Sequence, residues 1–130
     1  MRSFVWSLLL LVSLCVLAEE PVPKELQGYW VPTASSCKST LGVLVAASSV
    51  EFRGPRKKQA VPTQTCFTCE GGARYSGIVI WVLPAALTQD EFTLHLNSGE
   101  RKGVAKVEFE NPERWSSFPI HNVDLKRCEI

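Results

Sequence analysis

The chain has almost no charge of one sign in excess. Its 14 basic and 13 acidic residues leave a formal net charge of +1, so no electrostatic drive toward nucleic acid or an anionic membrane is expected. Catalytic signatures are missing as well. There is no Gly-x-Ser-x-Gly elbow, no glycine-rich phosphate loop and no metal-hydrolase helix motif. Only two histidines occur, and neither has the setting of a triad. Asp90 and Glu91 are adjacent, so in a strand their side chains point to opposite faces, which excludes them as a glycosidase pair. These gaps predict a protein without catalytic residues, cofactor or resident metal. Long amphipathic helices and internal repeats are also lacking, which removes bundles and solenoids.

One apolar run stands out, at the N-terminus. Arg2 precedes an apolar stretch over 4–17, which ends in Val16-Leu17-Ala18 before Glu19-Glu20. A short basic region, an apolar core and a small residue at the cut describe a secretory signal over 1–18. The run falls short of the ~20 residues that span a bilayer, and no other segment comes nearer, so no stable membrane insertion is expected after cleavage. A lipid anchor on Cys15 is disfavoured by Leu14, where such signals want a small side chain. Residues 1–18 leave the chain as signal, 19–27 read as an extended, Pro- and charge-rich lead-in, and 28–130 form a single β domain that is periplasmic or secreted. With Arg2 gone the basic count falls from 14 to 13 and the mature charge is zero.

Four cysteines remain after the signal: Cys37, Cys66, Cys69 and Cys128. An even number in a small exported domain implies disulfides. Three full pairings are open. Residues three apart in an extended strand face opposite ways, so the expectation is that Cys66 and Cys69 bridge different partners, one to Cys37 and the other to Cys128.

The body of the chain is patterned as strands. Over 90–97, Phe92, Leu94 and Leu96 alternate with polar neighbours. Over 104–110, Ala105, Val107 and Phe109 alternate with Lys106, Glu108 and Glu110. Both show the period of two of a half-buried strand, and the Gly-containing segment 98–103 between them predicts a hairpin. Residues 78–83 are apolar throughout and stop at Pro84, as in a strand covered on both faces. Weaker strands are expected over 41–46 and 50–53, and a closing one over 120–126 with Val123 and Leu125 inward. Residues 111–115 suit one short helical turn, with Pro112 at its first position. Many short strands separated by turns make an all-β fold, a small antiparallel barrel or sandwich stapled by disulfides.

Gly28-Tyr29-Trp30, followed by Cys37, strands and a closing Arg127-Cys128, resembles small secreted bacterial proteins with lipocalin-like barrels. That resemblance implies that Trp30 plugs one barrel end. Gly71-Gly72-Ala73-Arg74-Tyr75 looks like a loop of periplasmic inhibitors of C-type lysozyme.

The motif closest to chemistry is Cys66-Phe67-Thr68-Cys69. Thioredoxin-type reactivity needs a helix N-terminus behind the first cysteine to stabilise its thiolate. Here Glu70-Gly71-Gly72 follows, which opposes both helix and thiolate. Zinc would need two close ligand pairs, and Cys37 and Cys128 stand alone, with His95 expected on an exposed strand face and His121 at a strand start. A structural staple is therefore the expected role, with thiol-redox or metal handling as the third possibility behind two binding functions. The basic turn 53–58 reads as a solvated hairpin loop. The leading expectation is a non-catalytic binding protein for a small apolar ligand or an envelope protein, with Trp30, Trp81 and Trp115 around any pocket and Arg74 and Tyr75 as polar contacts. The alternative is an inhibitor of an envelope-directed enzyme acting through the loop 70–75.

Overall fold

The computed structural model describes residues 20–86 and 91–129. The expected signal over 1–18 and Asp90 lie outside them. The alternating apolar residues form eight strands: β1 (Gly28–Pro32), β2 (Gly42–Val45), β3 (Ser49–Arg53), β4 (Lys58–Cys66), β5 (Ile80–Pro84), β6 (Phe92–Leu96), β7 (Val104–Phe109) and β8 (Asp124–Arg127). Each pairs antiparallel with the next, and β8 returns to β1 through Trp30 opposite Arg127. The result is a closed barrel, which leaves no unpaired sheet edge.

Register sorts the residues between inside and outside. Trp30, Val43 and Phe52 lie opposite one another on β1, β2 and β3 and face in. Val82, Leu94 and Val107 do the same on β5, β6 and β7. An eight-stranded barrel is just wide enough for its own side chains to fill. These residues, with Val45, Val50, Phe92, Leu96, Ala105, Phe109 and Leu125, occupy the axis as one buried cluster. The interior is a core.

The two barrel ends are built differently. At one end the long β7–β8 connection folds inward through successive turns, in which Arg114, Trp115 and Ser116 N–H groups donate to carbonyls three residues back. A run of turns stands where a helical turn was expected over 111–115, and it seats Trp115, Phe118 and Ile120 in the core. Trp115 lies against Phe52, Phe92, Phe109 and Phe118, stacked on Phe109 at 4.7 Å between centroids. At the other end stand the starts of odd-numbered strands and the ends of even-numbered ones. Here the lead-in is more than extended chain. It forms a 3-10 turn at Lys24–Leu26, because Val22 and Leu26 are the apolar residues available to cap that end of the core.

Several expectations are corrected. Cys66 bonds to Cys69, and Cys37 to Cys128. The argument from extended geometry fails because β4 stops at Cys66. The chain then turns, bringing the Cys66 and Cys69 Cα atoms within 5.6 Å. Strand β4, the longest at nine residues, has few large apolar residues and contains Pro62, so no periodicity announced it. Ile78 and Val79 belong to the preceding loop, and β5 begins at Ile80. Val123 is 37 % exposed just before β8, while Leu125 is buried as expected. The basic segment is the expected tight hairpin, closed by Gly54 N–H donating to the Lys57 carbonyl at 2.8 Å.

Candidate functional site

The end opposite the Trp115 plug carries a cleft of about 860 Å³. Its walls come from separate segments: the 3-10 turn, the start of β1, the β4–β5 connection, the β6–β7 turn and the end of β8. Phe67, Ile78 and Ile80 supply accessible apolar surface over the buried Leu26 and Trp30. Trp30 forms the base. Its side chain is fully buried, and its indole N–H donates to the Leu26 carbonyl at 3.0 Å, locking the ring.

The β4–β5 connection makes one wall and is held at three places. The Cys66–Cys69 bond closes its root. Next, the Glu70 carboxylate accepts from the Trp81 indole N–H at 2.6 Å and lies 3.9 Å from His95 Nδ1. Further along, the Tyr75 hydroxyl donates to the Glu100 carboxylate and accepts from Val79 N–H at 2.9 Å. Glu100 also accepts from Ile78 N–H at 3.1 Å, and the buried Asn97 amide donates to the Ile78 carbonyl at 3.1 Å. The β6–β7 turn therefore grips the loop from below.

Local sequence explains why this grip forms. A Cβ on Gly77 would fall 2.3 Å from both the Tyr75 hydroxyl and Glu100, and one on Gly71 would fall 2.5 Å from the Tyr75 ring. Only glycine lets Tyr75 lie there. Glu100 holds a left-handed backbone, φ 60°, in a turn where Asn97, Gly99 and Gly103 are also left-handed. That conformation is unusual for a side-chain-bearing residue, and it aims the carboxylate at the loop. Its hydrogen bond from Tyr75, and then the Ile78 N–H, hold the Glu100 carboxyl below its ordinary range. Loss of solvent and that same bond push the Tyr75 hydroxyl up.

A second patch lies on the barrel's outer wall. Cys66, Trp81, His95, Lys106 and Asp124 are successive cross-strand neighbours from β4 to β8. His95 was expected to be exposed. It faces outward, yet its side chain is only 14 % exposed, because Trp81 packs edge-on at 5.1 Å and Glu108 stands 3.5 Å from Nε2. A smaller groove of about 510 Å³ runs past Glu91, Glu108, Glu110 and His121 near the plugged end. A shared hydrogen bond with Glu110 raises the Glu91 carboxyl, and His121 Nδ1 accepts from Phe109 N–H at 3.0 Å. Among the described residues no group of three or more His, Cys, Asp or Glu side chains is arranged to hold a metal ion.

The expected site residues are thus divided. Trp30 and Tyr75 line the cleft together. Arg74 is exposed on the crest of the adjoining loop. Trp81 is on the outer wall, and Trp115 plugs the far end, so the expectation of three tryptophans around one pocket is corrected. Strand alternation turns Trp81 outward, and the β7–β8 connection carries Trp115 to the opposite end. Sequence reasoning missed Phe67, Ile78, Lys102, Lys126 and Arg127 as cleft residues. No motif joins them; their shared signal is that each stands near a strand terminus at the same barrel end. Compared with protein-family models, characterised proteins and solved structures, the chain matches none.

Proposed function

We propose that the protein is an exported, non-catalytic binding protein that takes a small apolar or amphiphilic molecule into the cleft at the open end of its barrel. The observation that carries this is the cleft itself. Its ~860 Å³ falls in the range of small-molecule sites, and it joins an apolar base to a few polar groups on a pinned frame. The filled barrel axis directs a ligand to the end and away from the middle. Two disulfides fit a compartment outside the reducing cytosol, which agrees with a signal over 1–18 and a periplasmic or secreted location. Among the described residues no helix is long and apolar enough to cross a membrane.

The test is a fluorescence titration of the mature protein with single-chain amphiphiles, repeated on Ile78→Gln. Ile78 is 42 % exposed at the cleft wall, so the substitution leaves the core intact. Binding that changes emission in Trp81→Phe and Trp115→Phe backgrounds, and weakens several-fold in Ile78→Gln, supports the reading. Binding indifferent to Ile78→Gln sinks it.

One observation favours a second reading. The pinned loop displays Arg74 to solvent, which suits a preorganised contact with a protein partner such as an envelope-directed enzyme. Arg74→Ala would then abolish inhibition or capture of that partner without changing stability.

A further inference from the structure

The cations of the cleft differ from those elsewhere on the barrel. Arg53 pairs with Glu51 at 2.7 Å, Arg101 with Asp124 at 2.8 Å, and Lys106 reaches Asp124 at 3.6 Å. Lys102, Lys126 and Arg127 all line the cleft, and among the described residues none of them has an ion-pair partner within 4.0 Å. Arg127 spends one guanidinium N–H on the Gln27 carbonyl at 3.1 Å, which fixes its head at the mouth and leaves its remaining donors. Glu25 and Glu129 also line the cleft. They offset part of the positive charge, and three cations against two carboxylates leave one positive charge in excess. Glu100, the nearby acid outside that lining, is held by the neutral donors Tyr75 and Ile78 N–H and keeps its negative charge, so what marks the cleft is its unpaired cations and not a net charge.

Beside these cations lies the accessible apolar surface of Phe67, Ile78 and Ile80. A wholly apolar ligand would cover that surface and leave the cations without partners. A cationic amphiphile would set like charge beside three cations that have no ion-pair partner among the described residues. From this complementarity we infer that the cleft selects a single-chain amphiphile with an anionic head group, its chain along Phe67, Ile78 and Ile80 and its head among Lys102, Lys126 and Arg127. This rests on the cleft being the binding site, and it names the chemistry that site takes.

The experiment compares a fatty carboxylate with the alcohol and the primary amine of the same chain length, each below its micelle concentration, on the mature protein. Affinities are measured by calorimetry at low and high salt, for the native protein, for Lys102→Gln/Lys126→Gln and for Ile78→Gln. Both lysines are at the surface or half-buried, so the double variant keeps the fold, which a thermal melt verifies. The carboxylate should bind roughly tenfold more tightly than the alcohol, as two partly solvated ion pairs allow, and the amine most weakly. The double variant should erase most of that preference, and high salt should shrink it. Equal affinity for carboxylate and alcohol, tighter binding of the amine, or a preference that survives the double variant would each overturn the head-group inference. If Ile78→Gln still weakens every ligand in those cases, the cleft stands and only the anion is wrong. Absence of binding by all three ligands overturns both.

Discussion

The two ends of this barrel are closed by opposite means. At one, the chain sends Trp115, Phe118 and Ile120 into the core, where aromatic rings fill the mouth. At the other, the closing elements stay at the rim. A disulfide, two carboxylates and a tyrosine hold a loop beside the mouth without filling it. Apolar plugging maximises buried area and stability. Polar pinning contributes less stability per residue but keeps a shaped, partly open surface. Function in a small domain is expected at the second kind of end, since binding residues gather on loops positioned by a rigid frame.

The disulfides should give the largest effects, and they differ in how much chain each closes. Cys37 and Cys128 are 91 residues apart in sequence, whereas Cys66 and Cys69 are three apart. In the chain-entropy account the long closure contributes about 4–5 kcal/mol and the short one about 2 kcal/mol. Replacing Cys37 and Cys128 by serine should therefore lower unfolding free energy by the larger amount, measured in urea. Cys128 stands between Arg127 and Glu129, which line the cleft, so ligand affinity should fall as well. Replacing Cys66 and Cys69 should cost less stability and weaken binding at the cleft, because Phe67 lines it between the two cysteines. Equal losses of unfolding free energy for the two pairs would break this ordering by loop length.

Tryptophan substitutions come next in size. Trp115→Ala removes a ring held among four phenylalanines and should cost about 3–5 kcal/mol. Trp115→Phe should be much milder, since the buried Trp115 indole N–H has no hydrogen-bond partner among the described residues. Trp30→Phe should be the costlier of the two Phe substitutions. It forfeits the bond to the Leu26 carbonyl, a net loss of about 1 kcal/mol, and disturbs the base of the cleft. Urea denaturation of the two Phe variants checks the order, and a reversal would mean that polar locking matters less at the open end than packing does.

The barrel was legible where side chains alternate. Phe92, Leu94 and Leu96 on β6 and Ala105, Val107 and Phe109 on β7 announced strand, face and hairpin together. It was illegible in β4, where Gln59, Thr63 and Thr65 take inward places between better apolar neighbours, and closure supplies what local pattern lacks. The cysteine pairing was misread because a strand was extended through Cys69, when Glu70-Gly71-Gly72 already carried turn chemistry. Of the site residues that the sequence singled out, Trp30 and Tyr75 line the same cleft. Lys102, Lys126 and Arg127 meet there only because β6, β7 and β8 end or begin at the same level, a fact of topology that no local window contains.

Smaller effects should come from the pins themselves. Tyr75→Phe removes the donor to Glu100 and the acceptor for Val79 N–H. It should speed hydrogen exchange at Val79 and Ile78 by roughly tenfold, with little change in the barrel strands. The Glu100 carboxyl should rise toward its ordinary range in that variant, since the Tyr75 bond is the first cause of its depression. Unchanged exchange would mean that the Asn97, Glu100–Ile78 and Glu70–Trp81 bonds hold the loop without Tyr75.

The smallest effect concerns the turn that carries Glu100. Its next residue, Arg101, makes a two-pronged pair with Asp124 at 2.8 and 2.9 Å, and this ties the turn to β8. That bond, above all, holds the Asp124 carboxyl down at about 2, from an ordinary 3.8. The folded value lies below the unfolded one, so the pair's contribution is fully present above about pH 4 and fades as pH falls through about 2. Both partners are exposed, so the gain is modest and salt will screen it. Asp124→Asn should flatten that part of the acid unfolding curve and loosen the turn at neutral pH, read as faster exchange at Ile78 through Glu100. The amides around Trp115 should not respond. If they loosen equally, the two ends are one cooperative unit, and the open end owes its shape to the whole barrel and not to its pins.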